Sequence, residues 1–243
     1  MENKAAEVIE EARQELGRFP ALVLEEFDRV LDKLPDHLTV PQTSTWAMAG
    51  VEIAGQTVRS WEDAAQYYRV SHEVIGYMPF NYFVKWTRCG ASLCQESPTL
   101  ATAYFEASPG TISKLRSRHI ESWAALGQSL YRGTWKSSTL ASKFFASSPS
   151  LMDSLSFPEL ERFVAFLDAL SHRSYDLAAE CLTLGQKLFP LIGDDKGAFI
   201  SLASALVESG WREVKSFFEA SSRALPRIEA GQRLNFLKLS ERL

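Results

Sequence analysis

The chain reads as an all-α protein, a right-handed α-solenoid, and two phased sequence motifs predict it. In the first, an aromatic is followed four residues later by a small residue and seven residues later by Ile or Leu. It runs Trp46-Gly50-Ile53, Trp86-Gly90-Leu93 and Trp123-Gly127-Leu130, with weaker copies Phe163-Leu167-Leu170 and Phe199-Ala203-Leu206. A sixth copy starts at Phe236, with Ser240 and Leu243, where the sequence ends. The second motif is an aromatic pair with a small residue three before it and another four after its first member. Its copies are Ala64-Tyr67-Tyr68-Ser71, Ala101-Tyr104-Phe105-Ser108, Ala141-Phe144-Phe145-Ser148, a degraded Ala178-Cys181-Leu182-Gly185, and Val214-Phe217-Phe218-Ser221. A repeat of roughly 36 to 40 residues is the signature of stacked helical units that share one core.

The individual elements follow from these spacings. Residues four and seven apart lie on one helix face, so each anchor aromatic and its Leu point the same way. A Gly inside such a helix costs about 1 kcal/mol and makes sense where a neighbouring helix approaches closely. Ser97-Pro98, Ser108-Pro109 and Ser148-Pro149 punctuate the pattern, with Ser suited to a helix cap and Pro to the first helical position. Each unit is therefore predicted to hold three helices, as at 80–96, 98–107 and 109–115. A long, a medium and a short helix per unit make about five armadillo/HEAT-like helical repeats, rather than the two equal helices of tetratricopeptide repeats.

Residues 1–40 lie outside the repeat and read as an N-terminal capping helical hairpin split at Gly17 and Pro20. A solenoid needs such a polar cap over its first apolar face. The segment Pro35 to Thr45, rich in Pro and Thr, reads as a linker, and residues 41–243 as the helical-repeat solenoid, continuous with the cap.

Composition points to a soluble cytoplasmic protein with a net charge of −4 and no apolar run long enough to cross a bilayer. The N-terminus lacks a signal-peptide pattern. Cys89, Cys94 and Cys181 read as ordinary core cysteines, because three in such apolar contexts make no disulfide framework. No phosphate loop, zinc spacing or nucleophile elbow occurs, so no catalytic residue, metal ligand or cofactor is assigned. Asp194-Asp195 reads as the cap of a helix starting near Lys196, and His72, in the slot of Pro109 and Pro149, as a surface turn residue. Trp61, Trp135 and Trp211 suit either packing at unit junctions or anchoring of a ligand in a groove.

Charge is unevenly spread. The first 40 residues hold ten acidic and five basic side chains, whereas 85–145 hold eight basic and three acidic ones. The candidate partner-binding set is Lys114, Arg116, Arg118, Arg132 and Lys136, which forms either a solvated ridge or a steering patch for an acidic protein. The alternative function, a nucleic-acid-binding α-solenoid, is disfavoured by the acidic balance of the whole chain.

The stretch Ser97-Pro-Thr-Leu-Ala-Thr-Ala-Tyr-Phe-Glu-Ala-Ser-Pro109, with Trp86 and Gly90 before it, resembles the helical-repeat region of NorD/CbbO/CoxE-type von Willebrand factor A domain accessory proteins. The likeness extends from about Trp46 to the end. It implies a non-catalytic adaptor or scaffold whose partner is a MoxR-type AAA+ ATPase or its metalloenzyme client. The metal-site signature of that A domain, Asp-x-Ser-x-Ser, does not occur in the 243 residues; Asp153-Ser154-Leu155-Ser156 has its serines out of register. With an apolar sixth anchor segment at the end, the sequence suggests the N-terminal part of a larger protein.

Overall fold

The computed structural model describes residues 2–132 and 137–228, with side chains from Ala6 onward except that of Ser137. Trp135 and the sixth anchor copy at Phe236, Ser240 and Leu243 lie outside the described residues. The described chain is helical, with no strand: α1 (Glu2–Leu16), α2 (Ala21–Leu31), α3 (Val40–Ala54), α4 (Ser60–Tyr77), α5 (Phe80–Glu96) and α6 (Pro98–Ile112). A 3-10 turn (Ser117–His119) then leads to α7 (Ile120–Arg132), α8 (Ser137–Ser154), α9 (Phe157–Ser171), α10 (Tyr175–Ile192), α11 (Lys196–Ser209) and α12 (Trp211–Ala224). None of these helices is long and apolar enough to cross a membrane. The chain divides into two compact units, 1–124 and 125–243.

In the first unit the helices pack mainly on the helix two further along, α1 on α3, α2 on α4, α3 on α5 and α4 on α6, and α3, α4 and α5 also pack on their successors. The same pattern holds in the second, with α8 on α10, α9 on α10 and α11, and α10 on α12. The two motifs supply the contacts. Trp46 and Trp86 are fully buried, and their indole N–H groups donate to Ser71 Oγ and Ser108 Oγ, each at 2.7 Å. The first tyrosine of each pair closes the set, Tyr67 donating to the Trp46 carbonyl (3.0 Å) and Tyr104 to that of Trp86 (3.2 Å). Gly50 and Gly90 face the second ring: a Cβ on either would lie 2.1 Å from Tyr68 or Phe105. Gly127 stands in the same relation to Phe145 in the second unit.

Where the anchor changes, its partner changes with it. Phe163 and Phe199 have no N–H to donate. In the fourth copy the Ser slot is Gly185, where a Cβ would come within 2.7 Å of the Phe163 ring. In the fifth, Ser221 keeps its hydroxyl, which is buried without a hydrogen-bond partner.

Three expectations need correction. The proposed second and third helices of each unit are one: α6 runs through Pro109 and α8 through Pro149. A proline there removes one amide donor, but it falls near the helix end, behind a buried aromatic pair that holds the backbone in place. Ser108 and Ser148 bond to the carbonyls of Tyr104 (2.7 Å) and Phe144 (2.8 Å) beside it. The units are therefore pairs of helices of similar length, 17 residues in α5 and 15 in α6, which removes the basis for a third short helix. For the same reason His72 is a half-buried residue inside α4, not a turn residue. Finally, half of the linker is helical, because Thr39 and Gln42 form a capping box that starts α3 at Val40, with Pro41 in the first turn.

The N-terminal pair is joined to the rest by packing and by charge. Phe27 of α2 stacks on Trp46 at 5.2 Å and meets Tyr68 edge-on. Beside it the nearly buried Glu26 accepts from Arg69 Nη2 on α4 (2.8 Å) and from Arg29 Nε (2.7 Å). Burial pushes this carboxyl up, but the hydrogen bonds from Arg29 and Arg69 outweigh it and hold its pKa below the ordinary value. Its stabilisation is thus present above about pH 4.5 and is lost as pH falls through the lower folded value. Glu26→Gln should cost about 1–2 kcal/mol at pH 7, the arginines being half exposed, and the difference from wild type should shrink below pH 4. Urea unfolding at the two pH values checks this.

Candidate functional site

Three members of the predicted basic set fall on one short segment of the first unit. Lys114, Arg116 and Arg118 lie together on the connection between α6 and α7, and all three are exposed. This segment is irregular because α6 ends at Ile112; Ile112 and Ile120 bury on either side of the cations and Leu115 between them, which pins the backbone and turns the charges outward. Arg118 donates from Nε to His119 Nε2 at 3.1 Å, so the guanidinium is held along the 3-10 turn. Arg132 ends α7 in the second unit, and Lys136 lies outside the described residues. Of the other basic residues in the same stretch, Lys85 is engaged by Glu121 at 2.6 Å, which takes it out of any free cationic patch.

Sequence reasoning missed a cleft of about 240 Å³ between α3 and α5. Thr45, Met48 and Glu52 line one wall at helical spacing, and Val84, Thr87 and Arg88 the other. Only the pairing of α3 with α5 brings these residues together, so no motif of either helix signalled it.

The cysteines behave as core residues. Cys94 and Cys181 are buried, Cys89 is half-buried, and all three are free thiols. Burial pushes the Cys89 thiol up to about 11, so it is not thiolate at neutral pH. Among the described residues no group of three or more His, Cys, Asp or Glu is placed to hold a metal ion. Asp194 and Asp195 sit in a 3-10 turn immediately before α11. Trp211 starts α12 half exposed under the Arg212 guanidinium, 5.3 Å from its ring centre.

One buried acid was also missed. Asp63 on α4 is fully buried, and its Oδ1 accepts from Thr102 Oγ1 on α6 at 2.6 Å. A signal for it was present in the repeat: the position before Ala64 holds Asp63, whereas the positions before Ala101, Ala141 and Ala178 hold Leu100, Leu140 and Leu177. Those leucines are core residues.

Over the described residues the protein is all-helical, built of packed helices, with the anchor tryptophans in the core and a cluster of three cations at one connection. The chain matches no protein family, no curated protein and no solved structure.

Proposed function

We propose that the chain is a non-catalytic protein-interaction scaffold, an α-solenoid of about five HEAT-like helix pairs capped by α1 and α2. The observation that carries this reading is the recurrence of one contact set at Trp46 and Trp86, with the Gly-to-ring approach repeated at Gly127. A design of that kind spends its bulky residues on stacking successive pairs and leaves the outward positions free to vary with the partner. The exposed Lys114-Arg116-Arg118 segment is where an acidic protein surface docks, drawn in by long-range attraction. The likeness to the accessory proteins would make that partner a MoxR-type AAA+ ATPase or its metalloenzyme client, with the scaffold acting as adaptor.

The test is affinity capture from the native source with the full chain and with a Lys114→Glu/Arg116→Glu/Arg118→Glu variant. A captured protein, identified by mass and rebound in purified form, should bind the variant at least tenfold more weakly. Its association rate should also fall with added salt. Equal binding by both chains would remove the basic segment from the interface. Binding of a mixed-sequence oligonucleotide with a steep salt dependence, and of no protein, would replace this reading with the nucleic-acid one.

A further inference from the structure

We propose that the Asp63 carboxyl is a proton-operated latch, which tightens the junction of α4, α5 and α6 when neutral and loosens it when ionised. Asp63 is fully buried in a slot that three other copies of the repeat fill with leucine. Its one hydrogen bond of ordinary geometry comes from Thr102 on α6, while Oδ2 is buried with no partner. The Cys94 thiol on α5 is close enough to act on the carboxyl, but a thiol is a weak donor. The leading charge acting on it is Glu62, its neighbour on α4, which is acidic and opposes ionisation. An ionised carboxylate in this place would sit in a buried slot beside an acidic neighbour, so the neutral acid is the better-tolerated form.

Burial, with a smaller push from Glu62, raises its pKa from the ordinary 3.8 to about 6 against the bonds from Thr102 and Cys94. The sign follows. The stabilisation is complete below about pH 4 and disappears as pH rises through about 6. Between pH 5 and 7.5 the folding equilibrium of the first unit should therefore weaken by about tenfold. His72, in the same unit, acts in the opposite sense: its pKa is lowered chiefly by burial, so its contribution grows as pH rises. A His72→Gln background isolates the carboxyl.

The experiment is urea unfolding and amide hydrogen exchange of the full chain across pH 5 to 7.5, in His72→Gln and in His72→Gln/Asp63→Asn. Exchange in α4 to α6 should quicken about tenfold with rising pH, beyond its intrinsic pH dependence, in the first protein. In the second it should stay level, with the Asn protein the more stable at pH 7.5. A direct reading comes from the Asp63 carboxyl ¹³C shift, whose midpoint near 6 should move higher in Thr102→Val as the bond that favours the charged form is lost. An identical pH slope with and without Asp63, or a carboxyl midpoint near 4, overturns the proposal even should the Asn variant fail to fold.

Discussion

Trp86→Ala should unfold much of the first unit, at a cost of about 3–5 kcal/mol. The indole is fully buried and packs against Tyr67 (5.6 Å between ring centres), Phe83 (5.3 Å) and Phe105 (5.2 Å), so Ala leaves a cavity lined by rigid rings. Its N–H also donates to Ser108, whose hydroxyl donates onward to the Tyr104 carbonyl. Domains of this kind hold a total stability of roughly 5–15 kcal/mol, so the loss is a large share of it. Trp211→Ala is the matched control. That ring is 44% exposed, and its removal should change stability by no more than about 0.5 kcal/mol. Urea unfolding followed by circular dichroism separates the two; a Trp86→Ala loss under 1 kcal/mol would mean that the anchor does not hold the core.

The second large effect is expected at Gly90, where the smallest possible enlargement is harmful. An added Cβ would lie 2.1 Å from Cζ of Phe105, itself fully buried and pressed edge-on against Trp86. Relief requires α5 and α6 to move apart, for about 2–3 kcal/mol, which exceeds the ~1 kcal/mol that Ala gains over Gly in helix propensity. Trimming the ring should restore part of the loss, so Gly90→Ala/Phe105→Leu should be less destabilised than the sum of its single changes by about 1–2 kcal/mol. Gly76→Ala serves as the contrast. Nothing lies within 4 Å of its would-be Cβ, so the same substitution in α4 should stabilise by up to ~1 kcal/mol. Strict additivity at Gly90 and Phe105 would show that the two helices are not in contact as described.

Much of this was legible in the sequence because each motif position records how deeply one residue is buried. Trp86, Gly90 and Leu93 fall on one face whatever the neighbouring helix is, and the phasing of Tyr104 and Phe105 names that neighbour. The break between α1 and α2 was visible in Gly17 and Pro20, which separate the two helices. The segment Lys114 to Arg118 was legible as a charge cluster, and the exposure of its cations follows from the buried Ile112 and Ile120 on either side and Leu115 within it.

Pro109 misled for a physical reason. Its local preference to begin a helix is outweighed by the packing of Tyr104 and Phe105, and only the tertiary structure registers that competition. Asp63 shows the reverse case: its place in a leucine slot is written in the repeat, but its orphan oxygen depends on what α5 and α6 bring within reach. The cleft between α3 and α5 and the pairing of Glu26 with Arg69 belong to the same class. By itself the sequence determined which motif residues face inward, because that follows from periodicity along one chain. The tertiary structure alone decided which buried polar groups find partners, since a hydrogen bond or ion pair depends on distances of about 3 Å between segments the sequence keeps apart.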